Sequence, residues 1–180
     1  MFQRGWRTVS RHFWRRPELH RQSLVALEAT FRVIGPSNER TVPAAEFFSL
    51  PRVDAKRENV LGKDEILAPI SLPPPKPNSR STYHKILDRE AWTYAVASAA
   101  IVLEIDGEIS KSARIVLGGV APIPWRLEKV EAMFWRASGS RWNWLLALAK
   151  PLSKVRTLWP KNAYKVPLTK ALVRPMVWLA

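Results

Sequence analysis

The strongest constraint on the fold lies in residues 94–120. An apolar run over 94–105, rich in Ala, Val and Ile, is followed by Asp106-Gly107 and then by a second β-rich run over 113–120. Two such runs on either side of Asp-Gly predict a β-hairpin, because Gly takes φ > 0 without steric cost and turns of that kind match the twist of paired strands. The pairing register is therefore expected to be set at Asp106-Gly107.

The flanking segments give shorter signals. Residues 22–29 carry helical spacing at Leu24, Val25 and Leu27. Residues 30–34 turn β-rich, Gly35-Pro36-Ser37-Asn38 predicts a turn, and residues 40–42 return as a partner strand. Pro43 suits the first turn of a short helix over 43–48, docked into the core by Phe47 and Phe48. Residues 52–62 are charged and loop-like, 65–72 resume as a strand, and Pro73-Pro74-Pro75 with residues 76–79 forms an extended connector that cannot donate ladder hydrogen bonds. Beyond the hairpin, Leu127, Val130, Met133 and Phe134 share one helical face. Trp142, Leu145 and Leu146 suggest another helix, ended by Pro151. A last helix is predicted over 167–179, with Pro175 kinking or stopping it.

The chain has 180 residues, room for one ordinary domain or two small ones. It contains no Cys, which excludes disulfides and thiolate metal sites, and its three His are scattered, so no metal site is predicted. No apolar run is long enough to cross a bilayer, and the chain is expected to be cytoplasmic. The net charge of +14 would suggest a nucleic-acid partner, but residues 23–133 hold 14 Lys+Arg and 14 Asp+Glu. The excess lies in the flanks, as do all but two of the nine Trp, Trp92 and Trp125. A basic nucleic-acid-binding protein is thus an alternative that the neutral centre disfavours. Residues 1–22, with six Arg and Pro17, read as a solvated tail more readily than as a phosphate-binding arm or a transit peptide.

A family resemblance stands beside these readings. Tyr83-x-Lys85-x-x-x-Arg89-Glu90, the hydrophobic strand, the Asp-Gly turn and the ending Ala-Arg-Ile-Val-Leu-Gly-Gly-Val-Ala-Pro-Ile-Pro-Trp-Arg at 113–126 resemble the FAD-binding subunit of xanthine dehydrogenase-type molybdenum hydroxylases. The later part resembles the carbon monoxide dehydrogenase flavoprotein C-terminal domain. Matching segments extend over 23–72 and 162–174, whereas 134–159 departs from the family. Family members carry glycine-rich flavin-binding loops upstream. Here Gly5 is the only Gly before Gly35, so the resemblance implies a chain truncated at its N-terminus.

From the resemblance, the expected division is a non-matching tail over 1–22, a remnant of the FAD-binding domain over 23–77, and the flavoprotein C-terminal domain over 78–180. The expected fold is α+β, a small antiparallel sheet followed by a second antiparallel sheet packed with helices. The implied function is an electron-transfer subunit that holds FAD, receives electrons from a 2Fe-2S small subunit fed by a molybdopterin-containing large subunit, and passes them to an external acceptor. The alternative is a truncated or degenerate fragment without flavin binding. The resemblance implies two cofactor-binding residues, Lys85 beside the flavin and Leu67 packed against it; the residues alone read as an exposed strand Lys and a core Leu. No catalytic residue is assigned. His12, His20 and His84 have no partners that sequence can position, Asp88-Arg89-Glu90 reads as a solvated loop, and Gly118-Gly119 reads as close packing at a strand end.

The compositional break near Ser23 generates a first prediction. Limited proteolysis, followed by mass spectrometry of the earliest fragments, is expected to trim residues 1–22 before cutting within 83–126; early cleavage inside the hairpin would contradict it.

Overall fold

The computed structural model describes residues 20–89, 94–106, 109–136 and 164–179. The chain enters through helix α1 (Arg21–Ala26) and passes Glu28, held at φ 57°, into strand β1 (Thr30–Ile34). Alternation gives β1 its orientation: Phe31 and Val33 are buried and Arg32 between them is exposed. Strand β2 (Glu39–Pro43) pairs antiparallel with β1, and the intervening turn is closed by the Gly35 N–H donating to the Asn38 carbonyl at 2.8 Å. Strand β3 (Ile66–Ser71) pairs with the other side of β1, Leu67 opposite Val33, so this three-stranded sheet runs β2-β1-β3.

Helix α2 (Ala44–Phe47) follows directly. Pro43 precedes it as the N-cap and as the last residue of β2, one step earlier than a place in the first turn. Phe47 and Phe48 enter the core as their spacing suggests. With Phe31 they form three edge-to-face pairs, centroids 4.5, 6.3 and 5.4 Å apart. Each such pair adds roughly 0.5–1.5 kcal/mol beyond its buried area.

The predicted hairpin is the centre of the second sheet. Strands β4 (Ser79–Leu87), β5 (Ala95–Asp106), β6 (Ile109–Gly118) and β7 (Trp125–Arg126) lie in that order, every neighbouring pair antiparallel. Asp106 pairs with Ile109, and Gly107 itself lies outside the described residues. Strand β6 starts at Ile109 rather than Ala113: Ser110, Lys111 and Ser112 interrupt the apolar pattern, yet Ser110 and Ser112 still pair with Ile105 and Glu104 around a bulge at Lys111, whose Nζ meets Asp106 Oδ2 at 2.6 Å.

Strand β5 is buried on both faces. Ala97, Ala99, Ile101 and Leu103 join Ile115, Leu117, Leu127, Val130, Leu172 and Val173 in a core beneath helices α3 (Glu128–Arg136) and α4 (Lys165–Leu179). Ala100, Val102 and Val116 turn the other way, into the core built on Phe31, Val33, Val42, Phe47 and Phe48. The architecture is α+β in layers: helices, the four-stranded sheet, then α1, α2 and the three-stranded sheet. Helix α4 runs through Pro175 to Leu179, so this proline does not end the helix as position alone suggests. The absent Pro N–H removes one bond of the i to i−4 ladder, and helix formation continues across that loss. The helix expected around Trp142 to Ala149 and the residues before His20 lie outside the described residues.

At the end of β6 the two halves are keyed together. Gln22, 2 % exposed, donates from Nε2 to Ser98 Oγ at 3.0 Å, and Ser98 lies opposite Gly118. A Cβ at Gly118 would fall 1.5 Å from Gln22 Nε2. Gly119 has φ 72°, and its Cβ would stand 2.8 Å from the Val96 carbonyl oxygen. Close packing thus accounts for both glycines. Gly118→Ala is expected to displace Gln22 and cost about 1–3 kcal/mol by overpacking. In a Gln22→Ala background the same change should cost less than half as much. A double-mutant cycle by urea denaturation measures this coupling, and equal penalties in both backgrounds would refute the keyed contact.

Candidate functional site

Lys85 and Leu67 stand on different sheets. Lys85 is on β4, exposed, opposite Ser98; directly opposed residues share a face, and Ser98 faces Gln22. Lys85 therefore projects from the face of the four-stranded sheet that looks toward the three-stranded one. Leu67 is on β3, half-buried, opposite Val33, and packs against the core between the sheets. Ile70 on β3 and Tyr83 on β4, two residues before Lys85, pack against the same core. Both strands are terminal in their sheets. An apolar Leu and Ile, an aromatic ring and a cation thus face one layer from two edge strands. Lys85 makes no ion pair among the described residues.

Charged groups fix the strands that carry these residues. Glu65, immediately before β3, accepts Arg40 Nε and Nη2 at 3.0 and 2.8 Å and the Gly62 N–H at 2.7 Å. The paired guanidinium bonds first, and the Gly62 N–H second, bring its carboxyl down to about 2. Before β4, Asn78 sits at φ 59° and its carbonyl accepts the Ile105 N–H at 3.1 Å. Lys76 Nζ reaches Glu104 Oε1 at 2.7 Å and, with Ser112 and Arg114, holds that carboxyl below its usual value. Arg114 links the halves: Nε donates to the Ala26 carbonyl at 2.8 Å and Nη1 meets Glu28 at 3.1 Å and Glu104 at 3.5 Å. At the far edge, Glu131 accepts the Ile115 N–H at 2.8 Å, and burial pushes its carboxyl up against the pull of Ile115 and Arg126.

Sequence reasoning singled out neither Gln22, Ser98 nor Arg114, whose roles depend on pairings across 76 and 88 residues. It also did not find the cavity of about 410 Å³ bounded by residues 49–58 and 118–124, with Arg21 and Gln22 in its wall. Arg21 there donates to Glu58 at 3.1 Å and lies 5.1 Å from the Phe48 ring centroid. Asp88 and Arg89 are exposed, and Glu90 lies outside the described residues. Among the described residues no group of three or more His, Cys, Asp or Glu is placed to hold a metal ion, and no helix is long and apolar enough to cross a membrane.

This α+β arrangement of a three-stranded and a four-stranded antiparallel sheet with helices is shared with solved carbon monoxide dehydrogenase structures. A solved structure of carbon monoxide dehydrogenase from Hydrogenophaga pseudoflava superposes with a TM-score of 0.75 and 25% identity, covering 88% of this chain and 54% of that one. Quinoline 2-oxidoreductase from Pseudomonas putida 86 shares the fold, with a TM-score of 0.67 at 18% identity, over 89% of this chain and 54% of that one. The chain belongs to the CO dehydrogenase flavoprotein C-terminal domain family, whose model matches residues 82–176. It is 30% identical over 145 residues to the aldehyde oxidoreductase FAD-binding subunit PaoB of Escherichia coli, covering 80% of this chain and 42% of that relative. It is also 34% identical over 104 residues to the carbon monoxide dehydrogenase medium chain of Hydrogenophaga pseudoflava, covering 58% of this chain and 34% of that one. The chain therefore spans less than half the length of these curated relatives.

The Glu65 anchor predicts a pH dependence. Its folded value lies below the ordinary 4.5, so its contribution is complete above that value and is lost as pH falls toward about 2. Glu65→Gln should flatten the stability profile across that window and lower stability at neutral pH, read as denaturation midpoints at several pH values. An unchanged slope would show that Glu65 does not anchor β3.

Proposed function

We propose that this chain is part of a FAD-binding electron-transfer subunit of a molybdenum hydroxylase, and that its contribution is one wall of the flavin site. The observation that carries the reading is the convergence of Leu67, Ile70, Tyr83 and Lys85 on one layer from the edge strands β3 and β4. These residues fit a flavin: an apolar and aromatic surface suits a flat ring, and a cation with no ion-pair partner among the described residues suits the negative charge that such a ring takes up on reduction. In this reading Leu67 packs against the ring and keeps water from one side of it, while Lys85 supplies the compensating charge. A bound flavin would provide the electron-carrying chemistry.

The family membership and the FAD-binding subunit among the relatives support this reading. By the same reading the partners are a molybdopterin-containing large subunit and a 2Fe-2S small subunit, electrons pass from the latter to an external acceptor, and the assembly works in the cytoplasm. The division we propose follows the connector: residues 23–77 as the end of the FAD-binding domain and 78–180 as the flavoprotein C-terminal domain. The end of β3 at Ser71 and the start of β4 at Ser79 support a boundary near Pro77.

Incubated with FAD and passed through gel filtration, the purified chain is expected to retain flavin absorbance. A colourless chain would overturn its independent binding of the cofactor. With flavin bound, Lys85→Met should lower the reduction potential by roughly tens of millivolts, the scale of about 1 kcal/mol for a charge screened nearly as in water. A redox titration giving equal potentials at equal flavin occupancy would place Lys85 away from the ring.

A further inference from the structure

We draw no further inference here: the strongest candidate, the cavity of about 410 Å³ between the 49–58 and 118–124 loops, has Arg21 paired with Glu58 and Arg57 with Asp54, leaving Lys56 as a single exposed surface cation on its wall, and the polar atoms Arg21 Nε and Gln22 Oε1, unpartnered among the described residues, are sealed inside the packing instead of opening into it, so nothing there selects a ligand.

Discussion

The burial of β5 on both faces is the constraint on which the structure depends. One face of this strand closes the core under α3 and α4, and the other closes the core of the three-stranded sheet. Neither core is complete without it. This explains the composition of the strand: Ala97, Ala99 and Ala100 leave room for elements on both sides, while Ile101, Val102 and Leu103 fill the layers nearer the hairpin end. A large side chain at any of the alanines would push one layer away, and a polar one without a partner would carry the desolvation cost of an unmade hydrogen bond, about 1–3 kcal/mol. Ser98 is the polar exception, and it has its partner in Gln22.

This shared wall also determines where the edge strands can point. Because the inner face of the four-stranded sheet is occupied by Ala100, Val102 and Val116 at its centre, residues of β4 on that face lie at its margin. Tyr83 is partly covered there and Lys85 remains exposed. Leu67 and Ile70 lie on β3, the end strand of the three-stranded sheet, partly buried against the same core. The ion pairs are placed to hold these strands in register: Arg40 with Glu65 at the entry to β3, Lys76 with Glu104 beside the entry to β4, and Arg114 across the junction. Exposed pairs of this sort contribute little stability individually, so their effect is mainly positional, whereas Arg114, with a side chain only 11% exposed, is set more firmly by its three contacts.

Much of this was legible in the sequence wherever local chemistry decided the outcome. The runs around Asp106 announced β5 and β6, the turn at 35–38 joined two real strands, and Phe47 and Phe48 declared themselves as core. Strand β4 was harder to read: Ser, Arg, Ser, Thr, His and Lys give no apolar period, and the strand forms because β5 offers it a partner along nine residues. The start of β6 was hidden for the same reason. For the site, Leu67 and Lys85 came from family resemblance, since a strand Lys and a strand Leu carry no chemistry in themselves. That both face one layer is a fact of register, which depends on pairings made far along the chain. Gln22 and Gly118 show the limit most plainly, because a buried amide and the missing Cβ that admits it are 96 residues apart in the sequence.

Binding of a flavin at the layer faced by Leu67, Ile70, Tyr83 and Lys85 can be tested by following assigned NMR resonances during titration with FAD. The prediction is saturable movement of the Leu67 and Ile70 methyl signals and of the Tyr83 and Lys85 amides, with the loop over 49–58 unchanged. Movement confined to the 49–58 and 118–124 loops, or no saturable movement at all, would contradict it.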